Sequence, residues 1–359
     1  MTVAPFPLIE IAGSPVVRGE TYGAQARDRI RRSVALYRGR LERLGLTSAH
    51  VADLVRLTLP EMRRFGEHYV AEMEGIARGA GLALDDIVLV NARTEIVALA
   101  KRRETPVDGC TGVVILPSHA SGGALIHAQN WDWLAACAET GVVLRIRRDD
   151  GPDILTFTEA GGLARSGLNA AGLAITANYL ESDRDYRQAG VPLPLIRRRV
   201  LEQQHLALAI ETIAATPKAC SNNMILSDAK GFAVDFECAP DEVFPLHAEK
   251  GRIVHANHWQ STVALSKLKD TGLAAVPDSL YRDRRVIELL PDRPDTEDVK
   301  HALFDDFGAP YAVCRPPIDE GDGNLGATVA MIVMVPARGI MDICAMPAHS
   351  RRFERYSLE

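Results

Sequence analysis

The hydrophobic period of this 359-residue chain changes at residue 110, and that change limits the fold more than any other feature. Upstream, residues 14–104 read mainly as helices. Arg27 to Leu46 brings Ile30, Val34, Leu41 and Leu44 near one face at helical spacing. Its arginines (27, 29, 31, 32, 38, 40 and 43) read as a solvated face, because no aromatics interleave them as a nucleic-acid surface would require. Pro60 suits a helix start before Glu61 to Gly79, and Gly79 to Gly81 suits its end. From Cys110 onward the pattern turns to short β-runs: Val113–Leu116, Ala124–Ala128, Val142–Arg147, Ile154–Thr158, Leu173–Ala177, Asn223–Ser227, Phe232–Glu237 and Gly251–Ala256. Helical intervals at Pro194–Ala214 and Pro277–Leu290 precede late strands at Val329–Val335 and Ile340–Ala345. Such an order suits an α+β chain with two stacked sheets, covered by helices on both outer faces.

The junction itself carries chemistry. Residues 101–109 form a polar, Pro-containing connector, the setting expected for a linker or a processed junction. Gly109, without a side chain, leaves its carbonyl open to the thiol of Cys110. Were the Gly109–Cys110 bond cut, Cys110 would carry a nucleophilic sulfur and a basic amine on one residue. That amine has an intrinsic pKa of about 7.7–8.0, suited to a general base at neutral pH. The strand after Cys110 turns at Ser118 to Gly123 and returns as Ala124–Ala128, leading into Gln129-Asn130-Trp131-Asp132-Trp133. A hairpin of this size brings Asn130 and Asp132 beside Cys110.

A strand-opening Cys with a returning Asn-x-Asp resembles the N-terminal nucleophile hydrolases. More narrowly, the chain is similar to the self-processing acyl-CoA:6-aminopenicillanate acyltransferase family, with bile-salt hydrolases and acid ceramidases as more distant relatives. The resemblance extends to Glu74–Leu82 and Asp85–Asn91 upstream, Ser166–Ile175 running on to Asn178, His255-Ala256-Asn257-His258, and Ala327–Met334. It implies a four-layer αββα sandwich, with residues 1–109 as a helical propeptide or α-subunit and 110–359 as the catalytic β-subunit. It also implies self-cleavage at Gly109-Cys110, with Thr111 assisting. Hydrolysis or transfer of an acyl group from a small amide or thioester would follow, through an acyl-Cys110 thioester. Cys110, Asp132, Asn178 and Asn257 then stand at the catalytic positions, with Gln129, Asn130, Trp131 and His258 lining the substrate. On residues alone, turn or cap chemistry is the better reading of Asn178 and Asn257, and the resemblance reverses that preference. Where bile-salt hydrolases carry an Arg this chain has Gln129, which argues away from bile amides.

Composition bounds the remaining readings. A net charge of −6, with a slightly basic residue 1–109 segment and an acidic remainder, is no footprint of a polyanion binder. The six cysteines lack any C-x-x-C pair and read mostly as reduced, buried thiols of a cytoplasmic protein. No apolar run is long enough to span a membrane. The chemistry calls for no metal or organic cofactor; His255 and His258 read as structural or substrate-lining. Gly321 to Gly326 spells G-x-G-x-x-G, but Arg315-Pro316-Pro317 before it and a β-rich run after it are the wrong context for a dinucleotide loop. The expected partners are a small amide or acyl-thioester substrate and the two fragments of one precursor as a heterodimer, with room for a higher homo-oligomer. Two alternatives stand beside this reading: an unprocessed Cys–His thiol hydrolase using His127, His255 or His258, and a catalytically silent binding protein on the same fold.

Overall fold

The computed structural model describes residues 3–99, 109–319 and 324–359. One sheet contains eight strands in the order β1-β4-β5-β6-β7-β8-β9-β10. They span β1 Leu8–Ile11, β4 Gly141–Ile146, β5 Ile154–Glu159, β6 Ser166–Asn169, β7 Leu173–Tyr179, β8 Asn222–Asp228, β9 Phe232–Cys238 and β10 Val243–His247. The other sheet runs β11-β2-β3-β13-β14-β15, with β12 added against β13. Its strands are β2 Thr111–Ile115, β3 Ile126–Leu134, β11 Arg252–His255, β12 Ile318–Asp319, β13 Leu325–Val335, β14 Ile340–Ala345 and β15 Phe353–Ser357. Helices α1 Pro15–Gln25, α2 Arg27–Arg43, α3 Ser48–Phe65, α4 Glu67–Ala80, α5 Leu84–Asn91 and α6 Arg93–Leu99 come from the N-terminal part. They join α7 Leu193–Leu201 and α8 Leu206–Ala215 on the outer face of the eight-stranded sheet. The short α9 Thr262–Leu265 follows, and α10 Ser279–Leu289 and α11 Thr296–Leu303 cover the outer face of the second sheet.

Strand alternation builds three apolar layers from this order. On β2, Val113 and Ile115 point outward to Val286 and Val299 of α10 and α11, while Val114 points inward to Ile225 of β8. On β7, Leu173, Ile175 and Ala177 face the outer helices, and Ala174 faces the other sheet. Trp131, Phe157 and Phe6 form an aromatic chain between the sheets, with centroids 5.4 and 4.9 Å apart. The fold is thus the four-layer αββα sandwich expected from the sequence.

The N-terminal part is more than a helical cap. Its strand β1, which the sequence reading missed, pairs parallel with β4 from Leu8↔Val143 to Ile11↔Ile146. One further departure concerns a helix start. α3 runs through Pro60 and stops at Gly66, because Pro60 is exposed and water can take the carbonyl left by its missing N–H. A Cβ on Gly66 would lie 2.8 Å from His68 Cε1 and 2.9 Å from Tyr69 Cδ2, so the break falls there. On α2 the arginines 27, 31, 32 and 43 are exposed, as a solvated face requires, and several of the seven also donate to neighbouring carbonyls. Arg27 donates to the Gly79 carbonyl at 3.0 Å, Arg31 to Ala80 at 3.2 Å and Arg29 to Glu139 at 2.7 Å. The first two carbonyls sit at the end of α4, where a helix leaves acceptors without internal partners.

Helices α1 and α4 cross at backbone contact through Gly19, Gly23, Gly75 and Gly79. A Cβ on Gly23 would meet Ile76 O at 2.3 Å and Gly79 Cα at 2.9 Å, and neither is a flexible side-chain end. Gly23→Ala therefore sets a helix-propensity gain of about 1 kcal/mol against an overpacking cost of about 1–3 kcal/mol or more. The overpacking cost wins, so a lower melting temperature is expected; a rise would show that the crossing is looser than described.

Candidate active site

The β2–β3 hairpin pairs Thr111 with Asn130 and Ile115 with Ile126. This register sets Cys110 opposite the Trp131–Asp132 peptide. Asp132 N donates to Cys110 Sγ at 3.4 Å, and the thiol lies 3.8 Å from Asp132 O. The period-2 rule then sorts the remaining residues of β3. Gln129 and Trp131 point between the sheets. Asn130 and Asp132 point toward α10, α11 and the chain near Arg315. Asn130 donates to the carbonyls of Leu303 and Val313 at 2.7 and 2.8 Å, tying down the end of α11. Asp132 forms an ion pair with Arg315 Nε at 3.2 Å. The register shift between Thr328 and Ala330 lies directly opposite, and Thr328 Oγ1 accepts from Arg315 N at 2.8 Å.

Arg282, wholly buried on α10, was not foreseen in the sequence. Its guanidinium donates to the carbonyl of Gly109, to Cys110 O at 2.8 Å, to Thr111 Oγ1 at 2.9 Å and to Asn257 Oδ1 at 2.8 Å. Asp278 accepts from Arg282 Nε at 2.8 Å and also pairs with Arg315. Burial, then the nearby Arg315 charge, lower the Arg282 pKa, and Asp278 and Asp132 oppose them. At Gly109 a Cβ would stand 2.2 Å from Arg315 Cζ, so that guanidinium occupies the space a side chain would need. The Gly109–Cys110 peptide is thus clamped between two arginines.

Asn178 and Asn257 are both brought to this region. Asn178 Nδ2 donates to His255 O and Ala256 O at 2.9 and 3.1 Å, and its Oδ1 accepts from Gln129 Nε2 at 2.8 Å. A Cβ on Gly112 would lie 3.6 Å from that Nδ2. Asn257 Nδ2 donates to Tyr179 O at 2.9 Å. Its backbone N–H and His258 Nδ1 meet Ser279 Oγ at 2.7 and 2.8 Å. Behind Asn178 runs a buried chain. Asn178 N donates to Asn223 Oδ1 at 2.7 Å, and Asn223 Nδ2 donates to Asp235 at 3.0 Å.

The three histidines of the alternative reading are directed elsewhere. His127 nitrogens lie 2.8 Å from Ser227 Oγ and Thr176 Oγ1, and burial holds its pKa at about 3. His255 meets two acceptors at 2.9 Å, Ala256 O and Glu237 Oε1, so both ring nitrogens donate. Burial lowers its pKa, but Asp235 and Glu237 outweigh it and raise the value to about 9. His258 is lowered by burial and then by the His255 charge. Glu237 also accepts from Ser261 N at 3.0 Å, which anchors the loop after Asn257.

Asp235 and Glu237 were missed, although two acids at i and i+2 on the apolar strand Phe232–Cys238 were a usable signal. Asp278 and Ser279 gave none, since both are ordinary at a helix start. Residues 321–323 of the glycine-rich segment lie outside the described residues, and its end runs into β13 rather than a helix. All six cysteines are buried outside any disulfide. Among the described residues no three His, Cys, Asp or Glu side chains gather as a metal site, and no helix is long and apolar enough to cross a membrane.

Two stacked sheets between outer helices are the fold of the N-terminal nucleophile hydrolases. The model of the acyl-coenzyme A:6-aminopenicillanic acid acyl-transferase family matches residues 119–347. The 40 kDa form of acyl-coenzyme A:6-aminopenicillanic-acid-acyltransferase from Emericella nidulans is 30% identical over 325 residues, covering 89% of this chain and 87% of that protein. The chain belongs to this acyltransferase family. Among solved structures, a variant of conjugated bile acid hydrolase from Clostridium perfringens matches with a TM-score of 0.50 and 13% identity, over 69% of this chain and 92% of that one. Penicillin V acylase from Agrobacterium tumefaciens matches with a TM-score of 0.43 and 15% identity, over 69% and 86%.

The charge on His255 gives a pH test. Its folded pKa of about 9 exceeds the unfolded 6.5, so the stability it confers is complete below pH 6.5 and lost as pH rises through 9. The wild type should lose roughly 3 kcal/mol between pH 6 and 9.5 relative to His255→Gln. Parallel unfolding curves for the two proteins over that range would contradict a charged His255.

Proposed function

We propose that the chain cleaves its own Gly109–Cys110 bond and then works as a cysteine acyltransferase or amidohydrolase. The observation that carries this reading is the Arg282 guanidinium on the Gly109 carbonyl, with the Cys110 thiol on the adjoining residue. In the first step the sulfur adds to the Gly109 carbonyl carbon. A C–S bond forms, the C–N bond breaks, and the thiol proton passes to the departing nitrogen. Arg282 faces the oxygen that gains negative charge, which fits an oxyanion donor. Water then cleaves the thioester, leaving a Gly109 carboxylate and restoring the thiol. Thr111 helps by holding Arg282 through its hydroxyl.

The freed Cys110 amine becomes the base for the second reaction. It takes the thiol proton, and the thiolate attacks the carbonyl of a small amide or acyl thioester. The acyl group rests on Cys110 until water or an amine accepts it. Asp132, beside Cys110 and paired with Arg315, is suited to hold the new ammonium. Asn257 positions Arg282 through its Oδ1, and Asn178 fixes the backbone at His255 and Ala256. Gln129 and Trp131 point into the inter-sheet gap that Cys110 faces, whereas Asn130 supports α11. The family's acyl-coenzyme A chemistry supports an acyl thioester donor. The strand β1 and Phe6, set into the sheet and core, support retention of the 1–109 fragment as a subunit.

Freshly purified wild type should give two bands on a denaturing gel, matching residues 1–109 and 110–359. Cys110→Ala should give only the full-length chain; two bands from that variant would rule out this thiol. Arg282→Lys keeps the charge but loses the fork. It should slow fragment appearance about 10²–10³-fold, with a melting curve recorded to confirm folding. Unchanged cleavage would remove Arg282 from the mechanism.

A further inference from the structure

His255, Asp235 and Glu237 form a wholly buried charged group that takes no part in the bond-breaking steps above. They come from the end of β11 and from alternate positions on β9. Glu237 Oε1 lies 2.9 Å from His255 Nε2, and Asp235 Oδ2 lies 3.9 Å from the same nitrogen. The other ring nitrogen, Nδ1, meets the Ala256 carbonyl at 2.9 Å. A neutral imidazole has one N–H and could serve only one of these two acceptors. Loss of the His255 proton therefore breaks one of the two bonds.

Those bonds hold a loop. Glu237 also accepts from the backbone N–H groups of Gln260 and Ser261, at 2.5 and 3.0 Å. One carboxylate thus ties both ends of the segment from His255 to Ser261, with Asn257 between them. The Ala256 carbonyl accepts from Asn178 Nδ2 as well, at 3.1 Å. Asn257 N donates to Ser279 Oγ on α10 at 2.7 Å, and its Oδ1 accepts from Arg282 Nη2 at 2.8 Å. Arg282 Nη1 in turn donates to Gly109 O. A continuous path of bonds runs from the imidazole through Asn257 and Arg282 to the carbonyl that the thiol attacks.

We infer that protonated His255 is a positioning residue for self-cleavage: it locks the loop that sets Asn257, and through it Arg282, on the Gly109 carbonyl. The inference rests on cleavage at Gly109–Cys110 as proposed above. Asp235 and Glu237 of β9 face the imidazole, and the His258 ring stacks beside it with centroids 6.3 Å apart. Strands β7 and β8 bring the amides of Asn178 and Asn223, while Arg282 and Asp283 of α10 face the loop at Asn257 and Gln260. Burial raises the Asp235 pKa, His255 opposes this and Glu237 adds to it, and the value comes to about 6. His258 is lowered by burial and by the His255 charge, so it is neutral above pH 7. His255 itself, at about 9, loses its proton in the alkaline range.

Full-length chain made by cell-free translation and moved at once to buffers from about pH 7.5 to 10 reports cleavage without a substrate. Fragments are followed on denaturing gels, and circular dichroism of uncut Cys110→Ala chains, with and without His255→Gln, checks folding at each pH. At the lower pH, His255→Gln should cleave at least about tenfold more slowly than wild type. The ratio of the two rates should fall about tenfold toward pH 10, where a group with a pKa of about 9 keeps roughly a tenth of its protons. Taking the ratio removes the titration of the thiol itself. Asn257→Ala should also slow cleavage, and adding His255→Gln to it should change the rate less than about twofold. A ratio that stays constant with pH, or effects that multiply in the double variant, would overturn the inference. If His255→Gln does not fold, the ratio of wild type to Asn257→Ala carries the test and should fall over the same range. Wild type that never yields fragments would remove self-cleavage and this inference together; cleavage with a constant ratio would remove the role of His255 alone.

Discussion

A single buried guanidinium organises the start of the second sheet. Arg282 gathers two consecutive carbonyls, a threonine hydroxyl and an asparagine amide oxygen around the Gly109–Cys110 peptide. Moving a cation out of water costs several kcal/mol, so this arrangement stands only because carboxylates come with it. Asp278 is shared between Arg282 and Arg315, and Arg315 reaches Asp132. These two guanidiniums and two carboxylates balance in charge. Removing one member would leave an uncompensated buried ion, at about 3–5 kcal/mol. The ion pairs that hold the chain here also fix the Gly109–Cys110 peptide beside the thiol.

Alternation along four strands does the rest. On β2 and β3 it sends Cys110, Gly112, Gln129 and Trp131 between the sheets, and Thr111, Asn130 and Asp132 toward the outer helices. On β7 and β9 it sends Thr176, Asn178, Asp235 and Glu237 into the same gap. The Cys110 thiol thus faces a polar inner region supported by His255, while the neighbouring Gly109 carbonyl faces the arginine cluster. A one-residue slip in the β2–β3 register would exchange these sides.

Much of the fold was legible because apolar runs of four to seven residues after Cys110 read as strands without ambiguity. β1, β10 and β15 were not: Glu10, Pro245, His247, Glu354 and Arg355 dilute their apolar character, as befits strands near sheet edges. Pro60 misled because a proline on an exposed helix face is tolerated. The hairpin argument correctly placed the Asp132 backbone at the thiol, since it needs only strand length and turn size. Arg282 could not be found that way. It lies 172 residues from Cys110 on an amphipathic helix, where an arginine followed by arginines looks like surface. Only tertiary packing buries it. The roles expected for Asn178 and Asn257 came from resemblance, and the structure adds that each amide is already bonded to backbone carbonyls.

The most direct test of the central claim is N-terminal sequencing of protein that turns over an acyl substrate. Active material should yield a polypeptide starting Cys-Thr-Gly-Val. Full turnover from a chain in which residue 110 is still joined to Gly109 would contradict the account.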